Sequence, residues 1–342
     1  MDEKRNRPVT LKDIARETGF SANTVSHALA GKSDISEKTT RLIREKAEEM
    51  GYVGNAFASS LRSGVSRLVA VIVGDIANPH FSILIKEIQA RLGREGYTVI
   101  VFNTEDKQAA ERRAVLAALG QKAAGILLCP SPDSAGNVSI LQERKVPFVL
   151  LGRRLAGSGV DSVICDDRGS GRLAGKFLLE NGHRQILFLN GSVRISSAAE
   201  RQQGVLDALS EAGLPIQTVS VRTVPVIAEK SRSLLPRLLT EKPYTAVLAF
   251  SDLLAWETVC ALKELGKQVP EDCSVMGFDN IQSRFSYPLR MSTVSSSKAA
   301  MANRAVEMLL DRIGDPGRPA QELILPTRLI RGETVSLVSD KD

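Results

Sequence analysis

The sequence predicts an all-α N-terminal helix-turn-helix unit followed by a larger α/β region of two parallel-sheet lobes. Three observations carry this. Residues 10–50 read as three short helices with identifiable caps and breaks. From Arg67 onward, short β-branched apolar runs alternate with amphipathic stretches of helix length, the pattern of parallel strands covered on both faces. The segments LVAVIVGD (68–75) and QILFLNGS (185–192) each open a series of such units, which points to two similar lobes rather than one long sheet.

The helical unit justifies itself residue by residue. Thr10 is an N-cap, with Asp13 three positions on as a near capping box. Leu11, Ile14 and Ala15 form the apolar face of the first helix, and Gly19 breaks it. Ser21 caps a second helix in which Val25, Ala28 and Leu29 point inward. Ser36 caps a third, with Ile43, Ala47 and Met50 on one face. The spacing Ala15–Gly19–Val25 is the informative part. Ala15 lets two steeply crossed helices approach, Gly19 tolerates positive φ, and Val25 locks the second helix on the first. The N-terminal end of that second helix then projects outward, at a height that suits a DNA major groove.

Residues 52–66, YVGNAFASSLRSGVS, are rich in small and polar residues and read as a linker. Eight strand-like runs follow: 68–74, 98–103, 125–129, 147–152, 185–191, 218–222, 245–250 and 273–278. Helix-length segments lie between them, including 80–94, 107–119, 167–181, 198–212, 227–240 and 252–265. A cleft between two such lobes, beyond the carboxyl ends of the strands, is a standard place for a small ligand.

Composition bounds the function. The 342 residues are 43% hydrophobic and 25% charged, as in ordinary globular proteins. No apolar run is long enough for a transmembrane helix, and MDEKRNRPVT does not open like a secretory leader; a cytoplasmic protein with no membrane partner is expected. Net charge is +6, compatible with nucleic acid, but residues 1–66 carry only 11 Lys/Arg against 9 Asp/Glu. The pattern, not the charge, makes the case. Cys129, Cys165, Cys260 and Cys273 form no C-x-x-C pair and read as reduced, buried thiols. His27, His80 and His183 lack metal-ligand spacing, so neither a metal nor a cofactor is expected.

The stretch VTLKDIARETGFSANTVSHALAGKSDISEKTTRLIREKAEEMGY closely resembles the DNA-binding headpiece of the lactose/galactose repressor (LacI/GalR) family. Later segments resemble the same family: NAFASSLRSG, SRLVAVIVGDIANPHF, ENGHRQILFLNG, ERQQGVLDAL, VPEDCSVMGFDN and LIRGETV, in order, over residues 8–335. The resemblance implies a transcription regulator, a repressor, that binds a palindromic operator as a homodimer under control of a sugar, sugar acid or related metabolite. Its domains would be an 8–53 helix-turn-helix, a 54–66 hinge, and a 67–338 effector domain resembling periplasmic binding proteins. Lobe 1 would take about 67–164 and 295–323, lobe 2 about 165–292 and 324–338.

Site residues follow from the same resemblance. Ala22, Asn23 and His27 fall on base-reading positions. Asn23 can bond adenine bidentately and His27 can donate to guanine; His27 departs from the arginine common in the family. Thr10, Ser21, Thr24, Ser26 and Thr39 suit phosphate contacts. Asn55, Ser59 and Leu61 fall on the minor-groove hinge, with Leu61 as the wedge between bases. Gly54 departs from the family's proline there. In the cleft, the resemblance places Asn78, Phe81, Arg153, Ser197, Arg201, Ser251, Asp252 and Asp279. Asp279 would accept from a diol and Arg201 would donate two bonds, while Asp252 has helix capping and Arg153 a salt bridge to Asp166 or Asp167 as competing roles. Trp256 is expected in the core.

Two other functional classes fit parts of the sequence. GSGRLA (169–174) matches a G-x-G-x-x-A dinucleotide fingerprint, yet the next strand ends near Asn190 without an acidic residue to hold a ribose. Close helix packing explains those small residues better, and no catalytic triad or phosphate loop accompanies them. A solute-binding protein without DNA function would explain the lobes, but not the N-terminal helices.

Overall fold

A computed structural model describes residues 7–54, 66–284, 286 and 288–338. The chain forms two compact units, divided at Ser66/Arg67. The hinge positions Asn55, Ser59 and Leu61 lie outside the described residues.

The first unit holds α1 (Leu11–Thr18), α2 (Ala22–Leu29) and α3 (Glu37–Glu49). The Asp13 carboxylate accepts from the Thr10 backbone N–H at 3.0 Å and from its hydroxyl at 2.7 Å, tying off the start of α1. Gly19 ends α1 at φ 72°, a left-handed position that glycine takes without steric cost. Ser21 and Ser36 cap α2 and α3 by accepting from the N–H of Thr24 and Thr39. Ile14, Val25, Ala28, Ile43 and Ala47 form the small core, with Ala15, Phe20 and Tyr52 packed around it.

The second unit contains two six-stranded sheets. The first comprises β1 (Leu68–Val73), β2 (Thr98–Asn103), β3 (Gly125–Leu128), β4 (Phe148–Leu151), β5 (Ser162–Cys165) and β11 (Glu322–Leu325), in the order β11-β5-β4-β3-β1-β2, all parallel. The second comprises β6 (Ile186–Asn190), β7 (Val219–Thr223), β8 (Ala246–Ala249), β9 (Ser274–Phe278), β10 (Ser292–Ser295) and β12 (Arg328–Ile330), in the order β12-β10-β9-β8-β6-β7. Only the β10–β12 pair is antiparallel.

Side-chain alternation explains why both faces are covered. Val69, Val71 and Val73 of β1 join the core beneath α4 (Pro79–Arg94) and α12 (Lys298–Gly314). Ala70 and Ile72 face the other way, into the core with α5 (Gln108–Gly120) and α6 (Ala135–Glu143). In the second lobe, Ile186 and Phe188 face α7 (Asp167–Glu180) and α8 (Ser196–Glu211), while Leu187 and Leu189 face α9 (Ala228–Ser231), α10 (Leu235–Thr240) and α11 (Asp252–Glu264).

The chain passes between sheets after Cys165, after Ser295 and after Leu325. The first lobe's strands therefore reach one residue past 164 and two past 323, and β10 belongs to the second sheet up to Ser295. The expected helix 227–240 is broken into α9, a 3-10 turn and α10, with Pro236 in the first turn of α10, where its missing N–H costs least. Cys129 and Cys273 are buried, but Cys260 is exposed on α11, contrary to the expectation for all four thiols. Trp256 packs half-buried against the apolar cluster under α11. The GSGRLA glycine serves helix crossing: a Cβ on Gly171 would sit 2.0 Å from the Arg201 carbonyl oxygen, and one on Gly204 1.9 Å from that of Arg168.

Candidate nucleic-acid interface and ligand cleft

In the helical unit, Ser21, Ala22 and Asn23 are exposed at the N-terminal end of α2, with Thr24, Ser26 and His27 half-buried beside them. The polar side chains differ in what they have free. The Thr10 hydroxyl already donates to Asp13, so it has no proton to spare for a phosphate. Ser21 Oγ and Thr24 Oγ1 lie 2.9 Å apart, and Ser36 Oγ and Thr39 Oγ1 2.8 Å. Each pair shares one internal hydrogen bond and keeps one hydroxyl proton for an outside acceptor. His27 is held by Asp34, with Nδ1 to Oδ2 at 2.6 Å, and by Lys32, with Nζ to Nε2 at 3.3 Å.

In the second unit, a cleft opens between the lobes where the carboxyl ends of both parallel sheets converge. The space between the lobes is about 850 Å³ with the open mouth included. Asn78, Phe81, Arg153, Ser197, Arg201, Ser251 and Asp279 all line it. Asp252 does not. It is fully buried as the first residue of α11, and its Oδ2 accepts from the N–H of Ile281 at 3.0 Å. Ser251, one residue earlier, is the N-cap and the cleft residue. Burial, and then the charge of Asp279, push the Asp252 carboxyl up to about 8.

Arg153 pairs with neither Asp166 nor Asp167. It grips Asp106 through two bonds of 2.6 and 3.1 Å and donates to the Pro130 carbonyl. Asp166 instead caps α7, and Asp167 takes Arg201 Nε at 2.8 Å. Arg201 also donates to the Phe250 carbonyl at 2.6 Å and lies over the rings of Phe278 and Phe250, at 4.4 and 5.0 Å. Its Nη2 is 3.8 Å from Asp279 Oδ1.

Asp279 sits at φ 102°, followed by Asn280 at φ 51°. Two consecutive side-chain-bearing residues at positive φ are costly and concentrate at ligand sites. Lys298 donates to the Asp279 carbonyl, and burial lowers the lysine's pKa. His80 Nδ1 stands 3.4 Å from Asp279 Oδ1, across the cleft. Burial drags His80 down to about 4 against the pull of Asp279, so at neutral pH it is an uncharged ring, set edge-on to Phe81.

Among the cleft residues that the sequence reading does not reach are the ionisable His80, Asp106, Asp167 and Lys298. Asp106 and Asp167 follow strand ends, so the strand-end rule for ligand sites reaches them. His80 and Lys298 carry no signal of their own in the sequence.

A helix-turn-helix with an outward polar end, on one chain with a two-lobed ligand cleft, defines a ligand-controlled DNA-binding regulator. Comparison with known proteins agrees. Residues 10–55 match the family described as bacterial regulatory proteins, lacI family, and residues 176–335 match the periplasmic binding protein-like domain. The chain is 30% identical to the HTH-type transcriptional repressor PurR of Yersinia pestis over 334 residues, 96% of this chain and 97% of that one. The Lac repressor dimer bound to operator and the anti-inducer ONPF superposes with TM-score 0.82 at 25% identity, covering 96% of this chain and all of that one. A LacI family regulator from Enterococcus faecium with bound ribose gives 0.71 at 26% identity over 80% of this chain and all of that one. The regulator CelR in complex with cellobiose gives 0.68 at 27% over 96% and all. This chain belongs to the LacI/GalR family of bacterial transcription regulators.

Proposed function

We propose that the protein is a cytoplasmic repressor that binds a pseudo-palindromic operator as a homodimer and is controlled by a neutral, hydroxyl-rich effector of the sugar class. It catalyses no reaction. Ala22, Asn23 and His27 read bases, and Ser21, Thr24, Ser26 and Thr39 position the backbone; Thr10 serves as a cap. The effector is held by Asn78, Phe81, Arg153, Ser197, Arg201, Ser251 and Asp279, joined by His80.

The observation that carries the effector class is the pairing of charge in the cleft. Arg153 is matched with Asp106, and Arg201 with Asp167. A ligand carboxylate or phosphate would enter a site whose guanidinium groups are already neutralised. A hydroxyl both donates and accepts, so it fits between such pairs without adding net charge. Phe81 offers a flat apolar face to a ring. The bound ribose and cellobiose of the two relatives support the same class.

The test is a thermal-shift screen of mono- and disaccharides beside their sugar acids, then operator gel shifts with each hit. A ligand at 100 times its Kd adds about 2.7 kcal/mol to folding stability, a shift easily read. Hits confined to phosphorylated or carboxylated compounds would refute the neutral-effector reading. Absence of binding to any palindromic DNA, with or without ligand, would refute the repressor reading.

A further inference from the structure

We propose that Asp34 and Lys32 hold His27 in one neutral tautomer, so that on DNA its Nε2 accepts a hydrogen bond from a base amino group, cytosine N4 or adenine N6. This rests on α2 being the recognition helix and reverses the expectation that His27 donates to guanine.

The assignment comes from what each partner is able to do. A carboxylate only accepts hydrogen bonds, so His27 Nδ1, 2.6 Å from Asp34 Oδ2, must carry the proton. An ammonium only donates, so Nε2, 3.3 Å from Lys32 Nζ, must present its lone pair. The two contacts together leave one tautomer of the neutral ring. Asp34 stays ionised throughout the working range, because its carboxyl is held below the usual value, first by the hydrogen bond to His27.

DNA changes one of the two partners. Lys32 is exposed on a flexible stem, and a phosphate is a stronger partner for an ammonium than an imidazole nitrogen is. When Lys32 turns to the backbone, the Nε2 lone pair faces the groove and needs a donor. Guanine offers only the acceptors N7 and O6 in the major groove, whereas cytosine N4 and adenine N6 are donors. Asp34 cannot follow Lys32 to the backbone, because phosphates repel it. Its role is to position His27, and that compensates for placing an acidic residue beside DNA.

Two measurements on the full chain decide it. The first is ring nitrogen NMR with labelled histidine at pH 7.5. The chain has three histidines, and His27→Gln identifies the signal. The expected spectrum has a protonated Nδ1 and a bare Nε2, and Asp34→Ala combined with Lys32→Ala, which removes both contacts, should convert it to a tautomer mixture. A protonated Nε2 in the wild type overturns the proposal.

The second is base-resolved selection from a randomised palindromic library. His27→Ala marks the position it reads by flattening the preference there, by roughly 5- to 150-fold. His27→Arg marks the contacted strand by selecting guanine. On that strand the wild type should select cytosine or adenine, which also separates the two donors. Asp34→Ala should admit guanine, with low-salt affinity for random DNA at least that of the wild type, because a carboxylate that phosphates repel is gone, as the fold control. Wild-type selection of guanine, or a preference indifferent to Asp34→Ala, overturns the proposal. A chain that selects no sequence at all fails as a repressor, a separate outcome that the ring spectrum does not share.

Discussion

Asp279 faces ionisable side chains of both lobes across the cleft. It meets His80 from the first lobe and Arg201 from the second, and its backbone conformation is strained at φ 102°. Asp279→Ala and Arg201→Ala should each weaken effector binding by ~10–100-fold, the range for a lost charged hydrogen bond, while operator affinity without effector stays near wild type. Parallel ligand titrations and gel shifts check both halves; a lost operator response with intact ligand affinity contradicts the assignment. Asp252 makes a different prediction. Its folded pKa is raised, to about 8, so the folded state favours the protonated form. The stability this contributes is fully present below the ordinary aspartate value and is lost as pH rises through about 8. Thermal melts between pH 5 and 9 should show wild type declining more steeply than Asp252→Asn. The same residue shows how far the sequence could be read. Ser251 and Asp252 follow one strand end, and both were candidates for the cleft. One helical step turns the second side chain inward, a difference of direction that spacing alone does not reveal. Lys298 is illegible for another reason: its role exists only against the carbonyl of Asp279, which belongs to the other lobe.

Helix and strand elements were legible where local chemistry and tertiary demand agree. β1 and β6 are continuous apolar runs because both of their faces are buried, and Gly19 marks the helix-turn-helix break because the turn requires positive φ. The segment 227–240 was read as one helix because its apolar spacing is helical, but Pro236 interrupts the hydrogen bonding. Helix α6 and strand β5 come from stretches with no long apolar run, and only their tertiary partners define them. The crossing of α7 and α8 is where an element-scale prediction falls. Gly171 and Gly204 allow backbone contact between these helices, and a Cβ at Gly204 would meet a carbonyl oxygen that cannot rotate away. Gly204→Ala should cost about 3 kcal/mol or more, seen as a lower denaturant midpoint. Gly213→Ala is not an equivalent control, because that position has φ 64°; Gly136→Ala, with open space around it, should change little.

At the scale of the effector unit, the two lobes are joined across the cleft by ion pairs. Lys230 of the second lobe reaches Glu105 of the first at 3.0 Å, and Arg194 reaches both oxygens of Asp133 at 2.9 and 3.0 Å. Arg154 pairs with Glu200 at 3.0 Å, and its backbone N–H donates to Ser196. Two of these pairs place the acid on the first lobe and the base on the second; the third runs the other way. The Lys230–Glu105 and Arg194–Asp133 pairs are exposed, individually weak and screened by salt, and that weakness suits a cleft that must open to admit a ligand. Added salt should therefore shift the ligand-free unit toward an open cleft, and a neutral ligand should bind with an affinity that depends on salt although it carries no charge. Fluorescence transfer between dyes on the two lobes measures the first effect directly. Arg194→Asp should mimic high salt at low ionic strength, and the exchange Asp133→Arg with Arg194→Asp should restore the wild-type distance. An Arg194→Asp variant as closed as wild type, with unchanged salt response, would mean that the inner contacts of Asp279 with His80 and Lys298 hold the lobes together and that the rim pairs are incidental.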